Sequence, residues 1–155
     1  MKALVIMGVS GSGKTTIGEL LASETGGTFL DGDDFHPPEN VAKMSAGTPL
    51  TDADRQGWLE KLASIIREAD TFTIIACSAL KASYREILKD ADFAFLNGSP
   101  EVLTQRLNER KNHYMPPSLL QSQLDTLEIP TDALTLDISK SSADIVLKIR
   151  YHLSI

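Results

Sequence analysis

Apolar and polar positions fall in blocks along the chain. Apolar runs stand at 3–7, 72–77 and 93–96, with a weaker one at 134–138, and a shorter candidate strand, Thr28-Phe29-Leu30, precedes an acidic cluster. Short apolar runs of this kind suit strands covered on both faces. Between them the apolar positions recur at helical spacing. Trp58, Leu59, Leu62, Ile65, Ile66 and Ala69 make one stripe behind Thr51, which can cap, with Asp54 at the third helical position. Ser99-Pro100-Glu101 reads as an N-cap, a first-turn proline and an acid at the positive helix end. Pro116-Pro117 opens a helix that turns Leu120, Leu124 and Leu127 to one side and closes before Pro130. Ser141 and Asp144 begin the last helix, with Ile145, Ile149 and Leu153 facing inward. Strands alternating with helices predict an α/β fold, a parallel sheet covered on both faces.

At 155 residues, with no repeat, low-complexity tract or linker, the chain reads as one domain, 1–155. Its 42% hydrophobic and 23% charged content exclude disorder. The single cysteine, Cys77, lies in an apolar run, which excludes an intramolecular disulfide and suits a reducing cytosol. It reads as a small buried hydrophobe rather than a reactive thiol. No apolar run approaches the length of a membrane span, and the start lacks the pattern of a signal peptide. A net charge of −6 argues against a general nucleic-acid partner. An acidic chain that binds an anion must gather its cations locally, and two segments do so: Lys81, Arg85 and Lys89, then Arg106, Arg110, Lys111 and His113.

Directly after the first apolar run stands Gly8-Val9-Ser10-Gly11-Ser12-Gly13-Lys14-Thr15, which fits G-x-x-x-x-G-K-[ST], the phosphate-cradling P-loop. Glycines let the backbone take positive φ and approach a phosphate, so that successive N–H groups point into one concavity. A helix starting near Lys14 adds its N-terminal dipole there. Lys14 would reach the β- and γ-phosphates of ATP, the Thr15 hydroxyl would hold Mg²⁺, and Gly8 through Thr16 would form the nucleotide contact.

Asp31-Gly32-Asp33-Asp34 follows the second candidate strand, and ligand sites in open parallel sheets collect at the carboxyl ends of strands. Carboxylates there can hold Mg²⁺, the role expected of Asp31, or orient a hydroxyl for attack, the role expected of Asp33. No apolar run ends in Asp-Glu or Asp-Asp; the third strand ends in Cys77-Ser78-Ala79-Leu80-Lys81. That points away from an ATPase motor and toward a small-molecule kinase.

The P-loop, Phe29-Leu30-Asp31-Gly32-Asp33 with Phe35-His36-Pro37 and Asn40, Lys43-Met44, Gly47-Thr48-Pro49-Leu50, Asp54-Arg55, Trp58-Leu59, Cys77-Ser78-Ala79-Leu80-Lys81 with Tyr84-Arg85, Arg106-Leu107, Arg110-Lys111, His113, Ser122-Gln123 and Thr126-Leu127-Glu128 together span nearly the whole chain. In this combination the chain resembles the gluconate kinases, small P-loop kinases related in fold to shikimate and nucleoside monophosphate kinases. The D-G-D-x-x-H-P and C-S-A-L-K segments are the specific part. The resemblance implies ATP-dependent phosphorylation of D-gluconate at its terminal hydroxyl, giving 6-phosphogluconate, by a cytoplasmic homodimer. It also implies a three-layer α/β/α fold on a five-stranded parallel sheet, with a mobile lid near residues 111–130. Asn112 stands where the family often has Gly, and the connection from Pro130 to the last strand is shorter than in longer members.

A sugar acid needs a cation for its carboxylate, and Arg55 and Arg85 are the candidates because a guanidinium binds bidentately. Arg55 reads alternatively as a surface residue pairing with Asp52 or Asp54. His36, Met44, Ser78, Lys81, His113 and Gln123 complete the expected substrate contacts, although Ser78 could equally cap the next helix. Arg106 and Arg110, four apart, share a helical face and would clamp phosphates as the lid closes, or pair with Glu101 and Glu109. Two rivals remain open: a kinase of the same fold for another polyol acid such as shikimate, and a nucleotide-binding module without turnover.

Overall fold

The computed structural model describes residues 2–109 and 117–155. Its frame is a parallel sheet of five strands: β1 (Ala3–Met7), β2 (Thr28–Asp31), β3 (Thr73–Ala76), β4 (Asp92–Asn97) and β5 (Leu134–Asp137), in the order β2-β3-β1-β4-β5. The strands fall where the apolar runs predict them. The polypeptide moves to opposite sides of β1 to add β3 and β4, and such a reversal opens a crevice at the carboxyl ends. Register sets what lies there. Ile6 pairs with Ala76, and Ala76 with Asp31, so the P-loop and the acidic turn leave the sheet along one row.

Alternation along β1 explains the helical layers on both faces. Leu4 and Ile6 join a core with Ile17 and Leu21 of α1 (Lys14–Thr25) and Ile145 and Ile149 of α7 (Ser142–Leu153). Ala3, Val5 and Met7 join the other, with Trp58, Leu59, Leu62 and Ile66 of α3 (Asp52–Glu68) and Tyr84 of α4 (Ala82–Ile87). The sheet is thus buried on both sides, as continuous apolar strands require. α1 passes so close to β2 that a Cβ on Gly18 would stand 2.3 Å from the Phe29 ring.

Helix starts follow their caps. The Thr51 hydroxyl accepts the Asp54 N–H at 3.1 Å while Asp54 accepts the Thr51 N–H at 2.9 Å, a reciprocal box. Ser99 and Ser141 cap α5 (Pro100–Glu109) and α7 by accepting from Val102 and Asp144. Ser78 does not cap: α4 starts after Lys81, with no side-chain cap from that residue. Of the expected lid, α6 (Pro117–Thr126) is described, and Leu120, Leu124 and Leu127 pack it on the first core. Arg110, Lys111, Asn112 and His113 lie outside the described residues. Among the described residues no helix is long and apolar enough to cross a membrane.

Candidate active site

The P-loop is shaped by its backbone. Gly11 and Gly13 hold φ of +85° and +99°, where a side chain is strained. Gly13 is also the N-cap of α1 and, having no side chain, leaves the first-turn N–H groups without a side-chain acceptor. Next to them the Ser12 hydroxyl is buried with no hydrogen-bond partner among the described residues. Unsatisfied donors of this kind, at a positive helix end, fit a polyphosphate. Lys14 bends back, its Nζ donating to the carbonyls of Gly8 at 2.9 Å and Val9 at 3.0 Å, which ties the loop in its open curve.

The start of α1 divides two cavities. One of ≈ 270 Å³ is bordered by Gly11, Ser12, Gly13, Thr16, Arg106 and Lys140. Arg106 donates there to the carbonyls of Ser12 and Ile138, bridging the P-loop to the segment after β5. The second, of ≈ 370 Å³, has Ser10, Lys14 and Thr15 on one wall and Asp31, Asp33, His36, Met44, Arg55, Ser78 and Gln123 around the rest. Residues spread over more than a hundred positions of sequence therefore share one cleft, with the P-loop as the wall common to both cavities.

The floor of this cleft is the turn after β2. Asp31 Oδ1 accepts the Asp33 N–H at 3.0 Å, starting a short 3₁₀ helix, Gly32–Phe35, that turns the Asp33 carboxylate into the opening. Water still reaches most of that carboxylate, which is 79% exposed. The cleft walls nevertheless thin its solvent, and with the repulsion of Asp31 they raise its pKa, against the opposing pull of His36 and Lys14. His36 lies flat on the Trp58 indole, ring centroids 4.1 Å apart, and its burial lowers its pKa. Trp58 is anchored by its Nε1–H on the Gly32 carbonyl at 2.7 Å. Asn40, at the start of α2 (Pro38–Ser45), donates to His36 Nδ1 and to the Asp54 carbonyl.

The cationic wall is a relay through Tyr84. Arg55 Nη1 donates to the Leu50 carbonyl at 2.9 Å and to the Tyr84 hydroxyl at 3.2 Å. That hydroxyl donates to Asp52, which also receives Lys81 at 3.0 Å. Hydrogen bonds from Tyr84 and Lys81 hold the Asp52 carboxyl below the usual range. Arg55 therefore borders the cleft through its own fixed geometry, not as a surface partner of Asp52 or Asp54.

The structure does not bring Lys81 or Arg85 to the cleft. Lys81 is committed to Asp52. Arg85 donates to the carbonyls of Ala79 at 2.7 Å and Glu128 at 2.8 Å, bracing the turn where Ala79 takes a φ of +45°. Gln123 does reach the P-loop, and both ends of its amide are used there: Oε1 accepts the Ser10 N–H at 2.8 Å and Nε2 donates to the Ser10 hydroxyl at 3.1 Å. The buried Cys77 thiol is pushed up to about 12 by its apolar surroundings, consistent with an inert packing role. Asn40 and Tyr84, which enter the sequence reading only as residues carrying the resemblance, and Asp52, there only an alternative partner of Arg55, also carry site structure. Trp58, from the apolar helical stripe, is core and cleft wall at once.

Thr15 and Asp31 border the same cleft, and no group of three or more His, Cys, Asp or Glu able to hold a metal occurs among the described residues. Two protein oxygens suit Mg²⁺, which keeps most of its ligands as water and phosphate.

The shikimate kinase family model matches residues 10–146. A gluconokinase from Gluconobacter oxydans is 51% identical over 83% of this chain and 76% of its own length. The thermosensitive gluconokinase of Escherichia coli is 40% identical over 96% of this chain and 86% of its own. In three dimensions a gluconokinase from Sinorhizobium meliloti superposes with a TM-score of 0.90 at 43% identity, covering 99% of this chain and 91% of that one. A shikimate kinase from Bacteroides thetaiotaomicron, at 17% identity and a TM-score of 0.74, shares the fold. On these likenesses, and with a P-loop facing an open aspartate across a single cleft, the chain belongs to the gluconokinase family of P-loop kinases.

Proposed function

We propose that this chain transfers the γ-phosphoryl group of ATP to the terminal hydroxyl of D-gluconate, giving 6-phosphogluconate. The observation that carries the proposal is the composition of one cleft: P-loop groups Lys14 and Thr15, the exposed carboxylate of Asp33 and the fixed guanidinium of Arg55. The outer cavity beside Thr16 and Arg106 extends from the same loop and suits the rest of the nucleotide.

Each residue then has a physical task. The P-loop N–H groups and Lys14 neutralise the phosphates, and positioning with charge neutralisation accounts for most of the barrier lowering in phosphoryl transfer. Arg106 and Arg110 are assigned to the nucleotide as well, and His113 to the substrate. Asp33 accepts the hydrogen bond of the attacking hydroxyl. As the hydroxyl oxygen bonds to the γ-phosphorus, the bond to the ADP oxygen breaks and the hydroxyl proton passes to the Asp33 carboxylate. Thr15 and Asp31 would hold Mg²⁺, which would supply charge neutralisation on the phosphate oxygens. Among the described residues the hydrogen bonds of Arg55 leave from Nη1, which supports a role for its Nη2 edge in receiving the gluconate carboxylate. Glucose, lacking that charge, forgoes the ion pair with Arg55 and is expected to be turned over far more slowly. The proposal extends to a cytoplasmic homodimer, on the family resemblance, and light scattering tests the dimer.

The experiment is ADP release with Mg·ATP against D-gluconate, other hexonates, glucose, shikimate and no acceptor. Turnover with D-gluconate far above the others is expected. Turnover confined to another acid overturns the substrate, and ATP binding without acceptor-dependent ADP release overturns the enzyme.

A further inference from the structure

His36 faces the cleft with one ring nitrogen and the protein with the other. Its side chain is only 4% exposed, pressed on Trp58, so the state of the ring is set by its few partners. On the protein side stands Asn40, itself buried, with its side-chain Nδ2 3.1 Å from His36 Nδ1 and 2.8 Å from the Asp54 carbonyl oxygen. A backbone carbonyl can only accept, so the Asn40 atom beside it is the amide nitrogen. That nitrogen has two hydrogens, one for each partner. Facing a donor, His36 Nδ1 must offer a lone pair, and in a neutral imidazole the proton then sits on Nε2. His36 Nε2 lies 3.7 Å from Asp33 Oδ1, too far for a hydrogen bond between them. An oxygen at about 2.8 Å from each fits that gap, accepting from Nε2–H and donating to Asp33.

We propose that Asn40 is a positioning residue that locks His36 as its Nε2–H tautomer, so that the cleft presents a fixed donor beside the Asp33 acceptor and the pair together receive one substrate hydroxyl. Asn40 is not among the residues lining the cleft and acts through His36, which is. Its own orientation is inherited from α3, whose first turn is held by the Thr51–Asp54 box and by Lys43 bridging from α2 to Asp54 at 2.8 Å. Asp54 thus serves twice: its carboxylate caps α3, and its carbonyl reads the Asn40 amide. A wrong tautomer would place a lone pair where the hydroxyl oxygen has its own, and the two would repel. The charged groups around the ring are Asp33 and Arg55, one favouring and one opposing its protonation, and burial keeps it neutral. The hydroxyl part of this assignment rests on the proposed gluconate reaction, whereas the tautomer does not.

The test is long-range ¹H–¹⁵N correlation of the imidazoles in the full chain without ligand, with the His36 signals identified by their loss in His36→Gln. The wild type is expected to show an unprotonated Nδ1 and a protonated Nε2 at neutral pH; a protonated Nδ1 overturns the lock even if Asn40 variants do not fold. In Asn40→Asp, whose carboxylate can only accept, the proton is expected to move to Nδ1. An unmoved tautomer there overturns it. The same variant should lose roughly 10- to 10²-fold in kcat/KM for gluconate with the KM for ATP unchanged. A Gln at 36 carries its donor without tautomers, so adding Asn40→Asp to His36→Gln should cost far less than it does alone. Full additivity of the two losses marks a merely structural role and overturns the proposal. The expected spectrum without gluconate turnover would instead overturn the substrate and leave the lock standing.

Discussion

The two walls of the cleft are made of different material. On the P-loop side the ligand-facing groups are largely backbone, shaped by Gly11 and Gly13 and presented by the start of α1. On the opposite side they are side chains held by other side chains: Asp33 aimed by Asp31, His36 by Trp58 and Asn40, Arg55 by Tyr84 and Leu50. A phosphate can be bound by any chain that makes this curve, because every residue carries the same N–H. A particular acceptor must be distinguished by charge and by donor–acceptor order, which only side chains supply. The shared fold with shikimate kinase at 17% identity fits this division, since a common frame can hold different acceptor walls.

Breaking one wall should therefore leave the other working. Lys14→Ala removes the P-loop cation and is expected to lower kcat on the order of 10³-fold while equilibrium binding of gluconate persists. Loss of gluconate binding as well would show that the walls are not separable. Arg55→Ala, on the other wall, should raise the KM for gluconate by roughly 10²-fold with nucleotide affinity unchanged in a fluorescent-nucleotide titration. An equal effect on both ligands would contradict the assignment of Arg55 to the acceptor. Trp58→Phe keeps a ring under His36 but orphans the buried Gly32 carbonyl; urea unfolding should show a loss of about 1–3 kcal/mol.

The smallest effect expected concerns the brace behind the acceptor wall. Lys43, then the Thr51 N–H, lower the Asp54 pKa to about 2. The unfolded chain holds that proton more tightly, near pH 3.9. The stabilisation is therefore present above about pH 4 and is lost as the pH falls through about 2. The difference in stability between wild type and Asp54→Asn should shrink across that window in denaturant titrations. A constant difference would mean that the Asp54 charge contributes nothing.

The same division decides what could be read from the chain. β1, the P-loop and the caps at Thr51, Ser99 and Ser141 depend on residues within a few positions of each other, so spacing alone placed them. The fate of the cations did not follow from spacing. Arg55 and Arg85 look alike in sequence, yet Tyr84 holds one against the cleft, and the carbonyls of Ala79 and Glu128 draw the other away. Lys81, at the end of a strand on the ligand side, is likewise captured by Asp52 from α3. Apart from Ala79, six positions from Arg85, the partners that make these choices lie 29 to 43 positions away. Trp58 was hidden for another reason: it belongs to an apolar helical stripe, and only its indole N–H on Gly32 and its place in the cleft lining reveal the second task.

Asp33 joins the two walls, because Lys14 of the P-loop pulls on its charge and His36 of the acceptor wall stands beside it. The most direct measurement is acceptor-dependent ADP release with D-gluconate in wild type and Asp33→Asn, with nucleotide binding followed in the same preparations. The account predicts robust turnover in the wild type and a fall on the order of 10²–10⁴-fold in the variant, with ATP binding retained. Undiminished turnover in Asp33→Asn, or none in the wild type, would contradict it.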